Sequence, residues 1–85
     1  MNRYDVYQRW RRSIEARQLL CTLTFEQWCT LWDESGCYEL RDRNGYVMAQ
    51  SVPGDGFVPG NVEIIPVTEV FRRVMDAPYG DRNYL

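Results

Sequence analysis

Residues 46–66 have the sequence YVMAQSVPGDGFVPGNVEIIP, and this stretch decides most of the expected fold. Its first part, Tyr46–Gln50, has the alternating character of a β-strand. Prolines and glycines then crowd residues 51–60, which predicts a loop without helix or strand. Residues 61–65 have the composition of a second short strand that ends at Pro66. The stretch therefore predicts two strands separated by a Pro/Gly-rich loop.

The residues just before this stretch predict a β-hairpin. Asn44 and Gly45 lie between two alternating segments, 37–40 and 46–50. Asn-Gly is a strong hairpin signal because both central residues of a type I′ turn need positive φ. The tip of this hairpin would carry Arg41, Asp42 and Arg43 into solvent. In this interpretation residues 61–65 form a short third strand.

Residues 3 to about 19 are expected to form an amphipathic helix. Tyr7, Trp10 and Ile14 recur at intervals of three and four, as residues on one helix face do. The opposite face carries Arg9 and Arg12 within a cationic cluster that acidic neighbours partly offset. Such a face is usually solvated, and it is also an alternative surface for an acidic partner or nucleic acid.

A second helix is predicted over residues 25–34. Thr24 and Gln27 have the spacing of a capping box, in which side chain and backbone satisfy each other at the helix start. Ser35 and Gly36 supply the stop. The apolar face of this helix comprises Phe25, Trp28, Leu31 and Trp32.

A last helix is predicted over residues 69–76, with Thr68 as its cap and Pro78 as its stop. Val70, Phe71 and Val74 would face inward. The expected fold class is therefore α+β, with two N-terminal helices, an antiparallel β-hairpin with a short third strand, and a C-terminal helix.

At 85 residues we expect one domain over 1–85, with a small core and a poorly ordered tail over 79–85. In so small a domain each large apolar side chain contributes strongly to stability. The residues expected to be mostly buried are Trp10, Trp28, Trp32, Val47, Ile64 and Phe71.

The composition argues against several functions. The net charge of −2 gives no overall basic footprint for nonspecific nucleic-acid binding. The chain has no histidine and no lysine, so a serine or cysteine nucleophile would lack its usual bases.

Its cysteines, at positions 21, 29 and 37, form no close-spaced pair and are expected to be free thiols in a reducing cytosol. With no signal-peptide pattern and no apolar run near ~20 residues, we expect a cytoplasmic protein without a membrane anchor.

Several patterns along the chain belong together. TFEQW at 24–28 and WDESG at 32–36 precede an arginine-rich segment, which is followed by YVMA at 46–49, GDGF at 54–57 and PGNVEII at 59–65. In this combination and order they resemble small bacteriophage proteins related to HNH (His-Me finger) endonucleases. The resemblance covers residues 25 to about 75.

The resemblance implies a scaffold derived from a nuclease. In that family a histidine activates the attacking water, and this chain has no histidine. We therefore expect no catalytic residue, no cofactor and no metal site. By resemblance Asn61 would tie the loop between hairpin and helix through backbone hydrogen bonds, and Asp55 would hold the Pro/Gly loop as an Asx-type turn. A weaker alternative is a metal site formed by Asp55 with Asp42 or Glu63.

The expected function is non-catalytic binding or inhibition of a protein partner, one that takes part in host defence or in nucleic-acid processing. The expected contact residues are Arg41, Asp42, Arg43 and Phe57, with Arg9 and Arg12 as the alternative surface, because arginines and exposed aromatics are typical of interface hot spots. The alternative is that Phe57 folds back onto the core and that the arginines only keep the hairpin soluble. A competing hypothesis is a DNA-binding module that has lost cleavage. A further one is a metal-dependent nuclease. The oligomeric state is left open.

Overall fold

Helices and strands follow one another in the order helix, helix, hairpin, helix. The computed structural model describes residues 2–41 and 45–76, without the side chains of 74–76. The elements are α1 (Arg3–Ala16), α2 (Phe25–Ser35), a 3₁₀ helix (Tyr38–Leu40), β1 (Tyr46–Gln50), β2 (Val62–Pro66) and α3 (Val67–Asp76). The predicted α+β class and element order are confirmed.

α1 is defined at both ends by local hydrogen bonds. The side chain of Asn2 accepts a hydrogen bond from the backbone N–H of Asp5 at 2.9 Å. The helix ends at Ala16, earlier than predicted, because Gln18 takes a left-handed φ of 61°. The N–H of Leu19 then donates back to the carbonyl of Ile14 at 3.3 Å, a closure typical of helix C-termini.

The predicted capping box of α2 is confirmed. The Thr24 hydroxyl accepts from the Gln27 N–H at 3.2 Å, and the Gln27 side chain accepts from the Thr24 N–H at 2.9 Å. Gly36 ends the helix with φ 69°. The face this helix turns inward carries Trp28 and Trp32, both buried as predicted.

β1 and β2 form an antiparallel pair with Val47 opposite Ile65 and Ala49 opposite Glu63. The predicted strand at 37–40 is wrong, since most of that segment is the 3₁₀ helix and β1 pairs instead with the segment assigned as a third strand. The ring of Tyr38 gives the physical reason, because it packs edge-on against Trp28 and Trp32 of α2. Packing on the helix holds this segment away from a ladder position beside β1. The predicted turn at Asn44 lies outside the described residues.

The hydrogen bonds at the two ends of the ladder fix which β1 residues face β2. At one end the Val67 N–H donates to the Gly45 carbonyl at 2.8 Å, and at the other the Ser51 N–H donates to the Asn61 carbonyl at 2.8 Å. Hydrogen-bonded and non-hydrogen-bonded pairs alternate along an antiparallel ladder. Odd-numbered residues of β1 therefore bond to β2. Backbone groups on the outer edge of β1 belong to Tyr46, Met48 and Gln50.

Most of the core lies between α1, α2 and one face of the sheet. The hydroxyl of Tyr7 donates to the carbonyl of Leu23 at 2.6 Å and so remains satisfied inside this core. Trp10, Val47 and Ile64, which were expected to be mostly buried, are only partly buried. The buried members of the cluster are Tyr7, Ile14, Leu23, Trp28, Trp32, Met48 and Phe57.

α3 covers the opposite face of the sheet, where Val70 packs with Ala49 and Ile65. It begins at Val67 directly after β2, so the predicted cap Thr68 lies inside the helix. The expected burial of Phe71 is wrong, since its side chain is 63% exposed. Phe71 follows the inward Val70 by one residue, a rotation of roughly 100° around the helix axis. The side chain of residue 74 and the tail from 79 lie outside the described residues.

Candidate functional site

An apolar groove opens between α1, α2 and β1, with a volume of about 570 Å³. We call it the α1–β1 groove. The apolar side chains that line it come from all three elements. They include Val6, Trp10, Trp32, Tyr46, Val47 and Met48. Large apolar side chains around a concave surface are the usual makeup of a binding site on a protein.

Arg41 lies at the rim of this groove and is held there by Tyr38. Its guanidinium carbon sits 3.9 Å from the centroid of the Tyr38 ring, within cation–π range. One of its N–H groups also donates to the Tyr38 carbonyl at 3.0 Å. A guanidinium has five N–H donors. Fixed in this way, Arg41 keeps donors for a ligand.

Arg17 is the second arginine at the groove, in the turn that follows α1. Burial lowers the pKa of Arg17, though an arginine stays charged at physiological pH. Within the described residues neither Arg17 nor Arg41 has an acidic partner. Arg3, which also lies over the Tyr38 ring at 4.2 Å, is instead neutralised by Asp33 at 2.8 Å. The groove therefore has an apolar lining and two cationic groups.

Two indole N–H groups beside the groove have no hydrogen-bond acceptor in the part of the chain that the structure describes. They belong to Trp28 and Trp32, whose buried Nε1 atoms are unpaired among the described residues. Both side chains contribute to the lining of the groove. A buried donor without an acceptor is costly and uncommon in folded proteins.

Phe57 does not belong to an exposed interface, which corrects the expectation from the sequence. Its side chain is 0% exposed and meets the ring of Trp10 edge-on at 5.5 Å. Its backbone bonds to the segment after α1, where the Phe57 N–H donates to the Leu20 carbonyl at 2.8 Å and its carbonyl accepts from the Thr22 N–H at 3.1 Å. Apolar periodicity could not predict this burial, because Phe57 is a single side chain of the loop that packs in the core.

Asn61 ties the loop between β1 and β2 together. Its side-chain oxygen accepts from the Val52 N–H at 2.8 Å, and its amide donates to the carbonyls of Val52 and Gly56 at 3.1 and 2.8 Å. Gln50 adds a further link, since its buried side chain accepts from the Gly56 N–H at 2.7 Å. The sequence interpretation placed Asn61 in such a role, but it missed Gln50. The only sequence signal for this role of Gln50 is its position just before the Pro/Gly loop.

Of the residues proposed for a metal site, Asp42 lies outside the described residues. Asp55 is exposed, and Glu63 forms an ion pair with Arg73. In the part of the chain that the structure describes, no group of three or more histidine, cysteine or acidic side chains is placed to hold a metal ion. The cysteines are free and half-buried, and burial raises the pKa of the Cys21 thiol.

The remaining predicted contact residues fall in different places. Arg9 and Arg12 are exposed on α1, where they adjoin Tyr4 and Asp5 in a polar surface depression. Asp42 and Arg43 lie outside the described residues. Two of the four residues first expected to bind a partner are described by the structure, and of these Arg41 lines the groove and Phe57 is buried in the core.

Comparison with protein-family models, with curated proteins and with solved structures found no significant match for this chain. None of the helices in the described ranges combines the length and the apolar character that crossing a bilayer requires.

Proposed function

We propose that this protein is a non-catalytic binding protein that holds a protein partner in the α1–β1 groove. The observation that carries the proposal is the combination of an apolar groove of about 570 Å³ with Arg17 and Arg41, which have no acidic partner within the described residues. Aromatic residues and arginine are enriched where proteins bind each other. The resemblance to phage proteins favours a host protein of defence or nucleic-acid processing as the partner.

The chemistry of the groove favours a protein over DNA as its ligand. A duplex presents a row of phosphates and is normally bound by a basic face. The α1–β1 groove is mostly apolar, and the chain carries a net charge of −2. Burying apolar side chains of a protein partner against Trp10 and Trp32 would favour a complex, and the affinity is what remains after the entropy lost on association.

Absence of catalysis is the second part of the proposal. The sequence has no histidine or lysine to act as a base near neutral pH. Burial raises the pKa of the Cys21 thiol and so disfavours its nucleophilic thiolate. We expect the pure protein, incubated with plasmid or single-stranded DNA and magnesium, manganese or zinc, not to cleave. Metal-dependent nicking that Asp55→Asn abolishes would restore the nuclease hypothesis.

A groove-blocking variant tests the binding proposal. Ala16 is exposed, lies in the last turn of α1 and lines the groove, so Ala16→Trp should fill part of it. Arg12→Trp places the same side chain on an exposed position of the same helix that does not line the groove, and serves as the control. Both variants should melt like the parent. Partner capture from bacterial host lysate should fall at least tenfold with Ala16→Trp alone.

Other outcomes would reject the proposal. Equal capture by parent and Ala16→Trp would place the interface outside the groove. Loss of capture in Arg12→Trp alone would move it to the Arg9 and Arg12 face of α1. If the Arg9 and Arg12 face binds DNA with an affinity that falls steeply with salt, the result would support the DNA-binding hypothesis instead of the groove proposal.

A further inference from the structure

On the outer edge of β1, the backbone groups of Met48 have no hydrogen-bond partner among the described residues. Pro66 lies opposite Tyr46 and has no N–H to donate to it. This is consistent with a ladder in which the even-numbered residues of β1 do not bond to β2. The N–H and C=O of Met48 therefore point away from β2. Within the described residues, no hydrogen bond outside the ladder involves either group.

Met48 is nonetheless 4% exposed, so these two backbone groups lie in a poorly hydrated place. Buried N–H and C=O groups almost always have a partner, from the protein, from water or from a ligand. At the start of the strand the edge is already used, because an isolated bridge joins Tyr46 to Arg41. The unpaired part of the edge is thus at Met48, and it adjoins the groove.

The lining of the α1–β1 groove shows that it follows this edge. Three successive residues of β1, Tyr46, Val47 and Met48, contribute to it. Successive side chains of a strand point to opposite faces of the sheet. A groove on one face would meet alternate residues, whereas a groove that meets successive residues runs along the strand edge.

The charges at the groove define the ligand further. Arg17 and Arg41 both line it, and their side chains have no acidic partner among the described residues. Guanidinium groups pair with carboxylates through short, charge-assisted hydrogen bonds. A ligand with apolar side chains for the lining and carboxylates for these two arginines complements both features.

We infer that the partner binds as an extended, acidic segment that adds a strand to the outer edge of β1. Its backbone would bond to the N–H and C=O of Met48, its apolar side chains would pack against Trp10 and Trp32, and its carboxylates would pair with Arg17 and Arg41. Addition of a strand to the edge of a sheet is an established mode of peptide recognition. Here the segment would reach the edge at Met48 through the groove, because Met48 lines the groove and is otherwise buried. This inference rests on the proposed function and specifies the partner segment.

The test uses three synthetic hexapeptides with blocked ends and the full chain labelled with ¹⁵N. The first alternates valine with glutamate, the second alternates valine with lysine, and the third is the glutamate peptide with alternate amides N-methylated. Binding of the glutamate peptide should exceed that of each of the other two at least tenfold. It should also slow hydrogen exchange at the Met48 amide at least tenfold. The Val47 amide, already paired with Ile65, is the internal control and should change less than twofold.

A charge variant separates the arginine contribution from the backbone contribution. Arg17→Gln/Arg41→Gln should reduce the preference for glutamate over lysine to less than threefold. Arg9→Gln/Arg12→Gln removes the same charge from a face outside the groove and should retain the preference. Unchanged melting of both variants checks that the fold is intact.

Each contrary result overturns the inference. Equal binding of the N-methylated peptide, unchanged exchange at Met48 or absence of peptide binding would reject strand addition. Self-association of the chain that occupies the groove, detected by sedimentation, would replace the acidic partner with a second copy. The proposed function would still stand if Ala16→Trp alone abolished partner capture, so the two failures can be distinguished.

Discussion

The guanidinium of Arg41 lies 3.9 Å from the centre of the Tyr38 ring and also donates to the Tyr38 carbonyl at 3.0 Å. Tyr38 in turn packs edge-on against Trp28 and Trp32, at 6.0 and 6.2 Å between ring centroids. A surface arginine is therefore attached to the core through one aromatic ring. Such fixation lowers the conformational entropy that Arg41 would lose on binding a carboxylate.

Phe57 and Phe71 should differ strongly in their effect on stability. Phe57→Ala removes a fully buried ring and should destabilise the protein by about 3–5 kcal/mol. Phe71→Ala removes the same atoms from a side chain that is 63% exposed and should cost about 0.5 kcal/mol or less. Urea unfolding followed by tryptophan fluorescence measures both. Similar midpoints for the two variants would contradict the assignment of Phe57 to the core.

The loop between β1 and β2 should depend on Asn61. Asn61→Ala removes three hydrogen bonds and takes away the partner of the Val52 N–H and of the buried Gly56 carbonyl, whereas the Val52 carbonyl still accepts from the Asp55 N–H. Leaving buried polar groups without partners costs about 1–3 kcal/mol. Asp55→Ala alters an exposed residue of the same loop and should change the free energy of unfolding by about 0.5 kcal/mol at most. Chemical denaturation of the two variants provides the comparison.

Gly56 should tolerate alanine less well than Gly60. Both have positive φ, 98° and 88°, where a Cβ costs roughly 1–2 kcal/mol. At Gly56 the Cβ would also lie 2.8 Å from the Cβ of Leu20 and 3.1 Å from its carbonyl oxygen, whereas at Gly60 no atom lies within 4 Å. Thermal melting should therefore show a clearly lower Tm for Gly56→Ala. Equal Tm values would mean that the backbone near Leu20 can move aside.

Asp33 should make stability depend on pH in the acidic range. Its hydrogen bond and ion pair with Arg3 hold the pKa of Asp33 below its ordinary value. A carboxylate with a lowered pKa in the folded state stabilises the protein above its unfolded pKa of about 4, and this contribution is lost as the pH falls through the folded pKa. Asp33→Asn should thus lower the Tm at pH 7, and the difference from the parent should shrink below about pH 4.

The control for this titration is Glu34→Gln, which removes an exposed neighbouring charge that has no ion pair among the described residues. Its Tm should follow that of the parent at each pH. A pH-independent difference for Asp33→Asn would show that the ion pair with Arg3 does not stabilise the fold.

Local signals in the sequence predicted the elements well, and long-range packing was harder to predict. The Thr24 capping box and the strand Tyr46–Gln50 depend on neighbouring residues, and both are present. The choice of β2 as the partner of β1 depends on how Tyr38 packs against α2, which periodicity does not encode. The same holds for Phe57, whose burial depends on Trp10, far away in the chain.

The groove could be predicted only in part. Arg41 was predicted to be a contact residue from its arginine-rich segment, and it lies at the groove, although the hairpin that was to present it does not include residues 38–40. Arg17, Val6 and Tyr46 meet at the groove only through the packing of α1 beside β1. No spacing in the sequence indicates that arrangement.

The most direct test of partner binding in the α1–β1 groove compares two double charge reversals for partner capture from a bacterial lysate. Arg17→Glu/Arg41→Glu reverses the charges at the groove, and Arg9→Glu/Arg12→Glu makes the same change in net charge on the opposite surface of α1. Once both variants are shown to fold, we expect the first to lose at least tenfold in capture and the second to stay within twofold of the parent. Retention by the groove variant, with loss in the Arg9/Arg12 variant, would contradict it.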